Sequence, residues 1–271
     1  MLRLLEPAGS CPQTLRERVF DGTYDKPFIV DNGTRRYLHF NLDAVQSAMR
    51  LDDPERLSLR YTRKMMAFLL FNHDPGRILL LGLGGGSLAK FCYRRLPHAA
   101  LTAIEVNPNV IALRDEFRIP PDDDRFRVIC ADGATHVARL KRSKDVILAD
   151  ACDRSGLAPE FDTLEFYQGA YRCLSPGGVF VTNLCSDLSA CFAHLTKISA
   201  VFGDEFMTLQ VRPAGNVIVF AFKERRRPEA NWEELETNAL DLKRRFGLDF
   251  PKYVRWFGLN WKLRRWADAF V

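Results

Sequence analysis

The sequence predicts an α/β fold: a mostly parallel sheet, covered by helices on both faces and closed at one side by an antiparallel hairpin. Three observations predict it. Five apolar runs alternate with helical patterns between residues 76 and 223, and strands apolar on both faces that are joined by helices form a parallel, doubly covered sheet. The first of these runs, "RILLLGL" (77–83), passes straight into Gly84, Gly85 and Gly86, a sharp strand-to-helix turn where backbone comes close to a ligand. The last two runs, "EFMTLQVRP" (205–213) and "NVIVFAFK" (216–223), are linked only by Ala214-Gly215, and so short a link makes an antiparallel hairpin.

Three regions follow in order. Residues 1–75 form an N-terminal segment: "PFIVDNGTRRYLHFNLDAVQSAM" reads as short strands around an Asn32-Gly33 turn, since Asn-Gly suits the positive φ of a tight hairpin. "LSLRYTRKMMAFLLF" then has the spacing of a helix that ends before Asp74-Pro75. Residues 76–223 are the α/β domain. Its strands are 77–83, "ALTAIEV" (100–106), "RFRVICA" (125–131), "DVILAD" (145–150) and "GVFVTNL" (178–184), with helices expected near 87–96, 109–117 and 163–174. Five parallel strands followed by a terminal hairpin is the Rossmann-like arrangement of nucleoside-binding, methyltransferase-type folds. Residues 224–271 form a helical tail: a helix, a break at Gly247 and Pro251, then a basic helix carrying Trp256, Trp261 and Trp266 among Arg255, Lys262, Arg264 and Arg265. Such a helix is expected to pack its tryptophans on the core and leave its cations solvated, rather than to bind nucleic acid or a membrane surface.

Composition narrows the class. Among 271 residues 47% are apolar and 27% charged, which excludes disorder, collagen and coiled coil for the whole chain. No run nears eighteen uninterrupted apolar residues, so no membrane span is expected. The apolar stretch before Glu6 and Pro7 is too short for a secretory signal. A net charge of +5 is weak support for an anionic partner. Seven cysteines without a CxxC pair argue against a disulfide framework and a zinc site, and point to a reducing cytoplasm. The five histidines show no metal-ligand spacing, so no metal is expected.

Four signals carry chemistry. Gly82, Gly84, Gly85 and Gly86 follow the first strand; Ser87 stands where a dinucleotide fingerprint has its third glycine, which disfavours NAD. Glu105 ends the second strand, nineteen residues after Gly86, where a carboxylate accepts the two hydroxyls of a ribose. Asp132, in "CADGA" after the third strand, suits the exocyclic amine of adenine, with Val106 and Ala134 as apolar walls; a plain helix cap is the alternative. Asp150 ends the fourth strand and Asp153 follows in "DACD", placing paired carboxylates at the crevice beyond the strand ends, suited to hold an amine and take its proton.

With "GLGGGSLA", "AIEVNPNVI", "CADGA", "DACD", "EFYQGAYRCLSPGGVFVTN" and the loop before "NVIVFAF" on the page, the chain resembles the spermidine/spermine synthases, the polyamine aminopropyltransferases, over roughly residues 26–223. The resemblance implies decarboxylated S-adenosylmethionine, or S-adenosylmethionine, as co-substrate. It implies contacts to the nucleoside from Gly84, Gly85, Gly86, Glu105, Asp132 and Gly133, and from Gln46 in "FNLDAVQSAM". It makes Asp150 the catalytic base and Asp153 a ligand of a small-molecule amine acceptor, and offers a homodimer by analogy. Departures gather on the acceptor side. Ser87 replaces an aspartate, "RYTRKMM" puts Thr62, Arg63 and Lys64 in place of a Tyr-His/Gln-Glu segment, Arg212 stands where an aromatic is expected, and Arg154 replaces a proline. Tyr61 fills the tyrosine's place only with a one-residue shift. Such cations oppose a diamine in a shared cleft. The readings left open are aminopropyl transfer, methyl transfer on the same scaffold, and nucleoside binding without catalysis.

Overall fold

The computed structural model describes residues 2–6, 11–151, 158–185, 188–204, 206–224 and 232–268. The N-terminal segment starts with β1 (Leu2–Leu4) and α1 (Pro12–Phe20), neither of which the sequence pattern announced, and continues with β2 (Phe28–Asp31), β3 (Arg35–His39) and β4 (Ser47–Arg50). These strands pair antiparallel in that order. The turn between β2 and β3 falls where Asn-Gly placed it. Gly33 has φ +90°, and the Asn32 side-chain oxygen accepts the N–H groups of Thr34 and Arg35 at 3.1 and 2.8 Å. The helix expected next is split into α2 (Arg60–Met65) and a 3-10 segment, Met66–Leu70. Met65 through Leu70 are all buried, so packing on every side, not a single apolar stripe, sets the pitch.

The α/β region runs β5 (Arg77–Leu81), α3 (Ser87–Arg95), β6 (Ala100–Glu105), α4 (Pro108–Ile111), β7 (Phe126–Cys130), α5 (Gly133–Ala138), β8 (Lys144–Ala149), α6 (Leu164–Cys173), β9 (Leu174–Leu184), α7 (Leu188–Phe202), β10 (Met207–Gln210) and β11 (Val217–Phe222). The sheet order is β10-β11-β9-β8-β5-β6-β7. β7, β6, β5, β8 and β9 are parallel, and β11 pairs antiparallel with β9 and with β10. The terminal hairpin is therefore as expected, though its loop spans 211–216 and is wider than two residues. Alternate residues of β5 serve opposite faces: Ile78 and Leu80 join one core cluster, Leu79 and Leu81 the other, which is why the run is apolar throughout. The chain leaves β5 toward β6 and β7, then returns to β8 on the other side. That reversal opens a crevice at the carboxyl ends of β5 and β8.

Two helices depart from expectation. The stretch near 109–117 is helical only over α4 and then tightens, Leu113 N–H to Val110 O and Arg114 N–H to Ile111 O. In the tail, α8 (Trp232–Phe246) ends at Gly247 with φ +70°, but Pro251 lies inside the first turn of α9 (Phe250–Asp268). There its missing N–H has no partner to lose, so it starts the helix instead of breaking it. α9 buries Phe250, Tyr253, Val254 and Phe257, the 3–4 spacing of one face, while Trp256 is 40% exposed. The packing expected of Trp256 is thus done by its neighbours; the side chains of Trp261 and Trp266 lie outside the described residues. Cys185, just past β9, is disulfide-bonded, contrary to the reading of the cysteine pattern.

Candidate active site

The crevice is built by what each strand does at its end. β5 runs out into Gly82, whose φ is +91° and where a Cβ would sit 2.3 Å from the Asp150 carbonyl oxygen. No side chain fits, so the two strand ends close on each other, with Asp150 N–H on Leu81 O at 2.9 Å and Gly82 N–H on Ile104 O at 2.8 Å. Glu105 leaves β6 and turns back over this loop. Its carboxylate accepts the N–H of Leu83 (2.9 Å) and, through its other oxygen, that of Asn107 (2.9 Å). Asp132 caps α5, accepting the Thr135 N–H at 2.7 Å.

These ends surround a cleft of about 530 Å³, within the range of small-molecule sites. Gln46, Gly82, Glu105, Val106, Asp132, Gly133 and Asp150 all line it, joined by Ile104, Ala131 and Phe161. Phe161 lines the cleft along with Val106, whereas Ala134 does not and packs against the core. Gly84, Gly85 and Gly86 are buried beneath the cleft. The Gln46 and Ser47 side chains cover Gly84, the Gly85 N–H donates to Ser47 Oγ at 2.9 Å, and Gly86 lies against Ile119. Asp153 and Arg154 lie outside the described residues. Among the described residues no group of three or more His, Cys, Asp or Glu could hold a metal ion.

Asp150 sits at the inner end. Asn183, on β9, donates to its Oδ1 at 3.0 Å and is itself fixed by Asn216, whose amide donates to Asn183 Oδ1 at 3.0 Å. The Tyr61 hydroxyl, delivered by α2, lines a small cavity together with the carboxylate and donates to the Gln46 carbonyl at 3.5 Å. Burial pushes the Asp150 carboxyl above its ordinary value, and the Asn183 bond and the nearby Tyr61 hydroxyl oppose that rise. The Tyr61 phenol is raised well above its usual value by burial and by the Asp150 charge, so it stays a donor. A small cavity of about 10 Å³, the volume of one water, lies between Tyr61, Ser47, Ser87 and Asp150.

Tyr61 and Asn183 stand beside Asp150, and the sequence pattern assigned neither to the site. Asn183 left a trace, as an amide at the end of the apolar run "GVFVTNL". Four of the residues that broke the expected acceptor pattern do not line the cleft. Thr62 is buried with its hydroxyl on Leu59 O (2.8 Å), Arg63 faces Tyr253, Lys64 donates to Gln210 O, and Arg212 donates to Gln210 Oε1 at 3.3 Å.

Comparison with known proteins agrees with this geometry. Residues 58–208 match the spermine/spermidine synthase domain model. A polyamine aminopropyltransferase of Chromobacterium violaceum is 41% identical over 228 residues, spanning 83% of this chain and 87% of that protein. The chain belongs to the spermine/spermidine synthase family. Among solved structures, a probable spermidine synthase from Corynebacterium glutamicum superposes with a TM-score of 0.68 at 23% identity, over 81% of this chain and 86% of its own. Human methyltransferase-like protein 13, solved with SAH, superposes at 0.62 and 26% identity, over 69% and 92%. These superpositions agree with a methyltransferase-type α/β fold, and the expected fold class holds.

Proposed function

We infer that this member of the spermine/spermidine synthase family is an aminopropyltransferase. It moves an aminopropyl group from decarboxylated S-adenosylmethionine to an amine and releases methylthioadenosine. The observation that carries the mechanism is Asp150, a carboxylate held by Asn183 at the inner end of a nucleoside-sized cleft. Aminopropyl transfer is favoured over methyl transfer by the family match.

In this reading Glu105 receives the ribose hydroxyls and Asp132 the adenine amine, while Val106 and Phe161 enclose the ring. Gln46, Gly82 and Gly133 shape the walls, and Gly84, Gly85 and Gly86 pack beneath them. Acceptor amines are almost wholly protonated at pH 7, so the attacking nitrogen must lose a proton. Asp150 binds the ammonium and takes it; its burial makes it a stronger base than an exposed aspartate. The nitrogen pair forms the N–C bond, the C–S bond breaks, and its electrons stay on sulfur as a neutral thioether. The sulfonium is itself a good leaving group, and holding nitrogen, carbon and sulfur in line supplies much of the acceleration. Asp153, next in sequence to this centre, keeps its proposed role as a ligand of the amine. A homodimer and a cytoplasmic setting are proposals of the same standing; no helix among the described residues is long and apolar enough to cross a membrane.

The test mixes the purified chain with each donor and a panel of amines. Methylthioadenosine from the decarboxylated donor is the expected product. S-adenosylhomocysteine from intact S-adenosylmethionine would replace this reading with methyl transfer, and neither product would remove both.

A further inference from the structure

A row of polar side chains runs along the end of the large sheet, from Asp150 to the β10–β11 connection. Ala149 of β8 is paired with Thr182 of β9, so Asp150, one residue on, comes level with Asn183. Asn183 in turn is paired with Ile218 of β11. Asn216 stands two residues before Ile218, hence on the same face of the sheet and diagonal to Asn183. The hydrogen bonds close the row. Asn216 Nδ2 donates to Asn183 Oδ1, and Asn183 Nδ2 donates to Asp150 Oδ1, each at 3.0 Å.

Each link in the row has a direction. An amide offers a donor end and an acceptor end of nearly equal shape, so packing alone does not decide which end of the buried Asn183 faces Asp150. Its partners decide it. While Asn216 gives a proton to the Asn183 oxygen, the Asn183 N–H faces the carboxylate. Turned over, the amide would set its oxygen against the Asp150 oxygen, and only a protonated Asp150 bonds to it there, which is no base. The Asn183 bond accordingly works against the rise that burial causes in Asp150. Asn216 is itself held by the connection that carries it. Val211 N–H donates to its carbonyl at 2.7 Å, and Gly215 N–H, at φ +81°, donates to Val211 O at 2.9 Å. α2 grips the same hairpin, with Arg60 on the Arg212 carbonyl at 2.7 Å and Lys64 on the Gln210 carbonyl. These two cations line neither the cleft nor the small cavity; they brace the loop from which Asn216 reaches in.

We propose that Asn216 is a positioning residue for aminopropyl transfer: it holds the Asn183 amide with its N–H toward Asp150, keeps that carboxylate ready to take the amine's proton, and so makes the base depend on the β10–β11 connection. The proposal rests on the reading of Asp150 as the base. Asn216 lines neither the cleft nor the small cavity, so it acts through Asn183. The titratable groups that face the same cleft as Asp150 are Asp25, Glu105, Asp132 and Glu160, and Tyr61 shares the small cavity with it. All of these remain when Asn216 is changed, so a difference between variant and wild type reads the amide row.

The test is Asn216→Leu in the full chain, which keeps the bulk and removes the donor. Two readouts are taken. One is the pH dependence of kcat/KM for methylthioadenosine release from decarboxylated S-adenosylmethionine, with the amine that the wild type uses best. The other is the titration of the Asp150 carboxyl carbon by NMR in protein labelled with carbon-13 aspartate, its signal assigned by its loss in Asp150→Asn. The acid limb and the carboxyl titration should both move to higher pH by roughly half to one unit, the size of one neutral hydrogen bond. The loss of rate should be largest below the limb and smallest on the plateau. Asn183→Leu should show a shift already, and Asn216→Leu added to it should move nothing further. Thermal melts accompany the kinetics, and Asn216→Ala, with the same expected shift, keeps the test decisive where the larger apolar side chain disturbs the loop. A titration unmoved in both Asn216 variants would overturn the proposal and leave aminopropyl transfer standing. A rate loss equal at every pH, or shifts that add in the double variant, would overturn it too. No methylthioadenosine from any amine in the unaltered chain would remove the proposal together with the reading beneath it.

Discussion

Replacing Gly82 by alanine tests whether the turn after β5 exists to let Asp150 sit where it does. A Cβ at Gly82 would lie 2.3 Å from the Asp150 carbonyl oxygen and 3.0 Å from its carbonyl carbon. Both neighbours are backbone atoms, so no rotamer change relieves the contact. Bringing the oxygen out to 3.0 Å moves the Asp150 backbone by roughly 0.7 Å, most of the ~1 Å misplacement that costs on the order of 100-fold in rate. The φ of +91° adds strain, about 1–3 kcal/mol for a residue with a Cβ. Strand ladders on both sides, Gly82 N–H to Ile104 O and Asp150 N–H to Leu81 O, stop the turn from drifting away. Strain of that size lowers the melting temperature of a chain this long by roughly 2–10 °C. Thermal melting and steady-state release of methylthioadenosine measure the two effects separately. The expected Gly82→Ala protein is folded, melts lower, and turns over roughly 30–100 times more slowly. Wild-type kcat together with a wild-type melting temperature would refute the account of this turn.

Two further substitutions read protonation. Tyr61→Phe removes a nearby hydroxyl that holds the Asp150 pKa down against burial. Activity needs the carboxylate, so it falls as pH drops through that pKa; the acid limb of kcat/KM should move to higher pH in the variant, and an unmoved limb contradicts the assignment. Lys90→Met concerns stability. The Lys90 ammonium is buried and donates to Phe117 O at 2.6 Å; burial first, then the Arg118 charge, bring its pKa from 10.5 to about 7. The unfolded chain therefore holds more protons between about pH 7 and 10.5, and the folded protein gains stability as pH rises through that window. Urea denaturation at pH 7 and 9.5 should show this gain in the wild type and not in Lys90→Met.

The sheet was legible because its strands are buried on both faces. "RILLL" and "DVILA" admit no alternating reading, and the glycines after the first mark its end. β1 was not legible: three residues are too few to show a period, and its partner β2 is supplied by residues 28–31. α1 hides because most of its face is exposed. Of the site, residues at strand ends were readable, since position in a parallel sheet already aims them at the crevice. Asp150, Glu105 and Asp132 are of this kind. Tyr61 was not, because Asp150 is 89 positions away in sequence and only the crossing of α2 over the rim brings the two to one cavity. The place of Arg60 and Lys64 was not legible either, because their bonds to the Arg212 and Gln210 carbonyls, outside the lining of the cleft, depend on the β10–β11 hairpin meeting α2.

The central claim is that the Asp150 carboxylate takes the proton of the attacking amine. Asp150→Asn keeps the shape and can still accept the Asn183 bond, so calorimetric affinity for methylthioadenosine should stay within about threefold of wild type while the rate of transfer falls by about 100-fold or more. Transfer at the wild-type rate in that variant, with product binding intact, would contradict it.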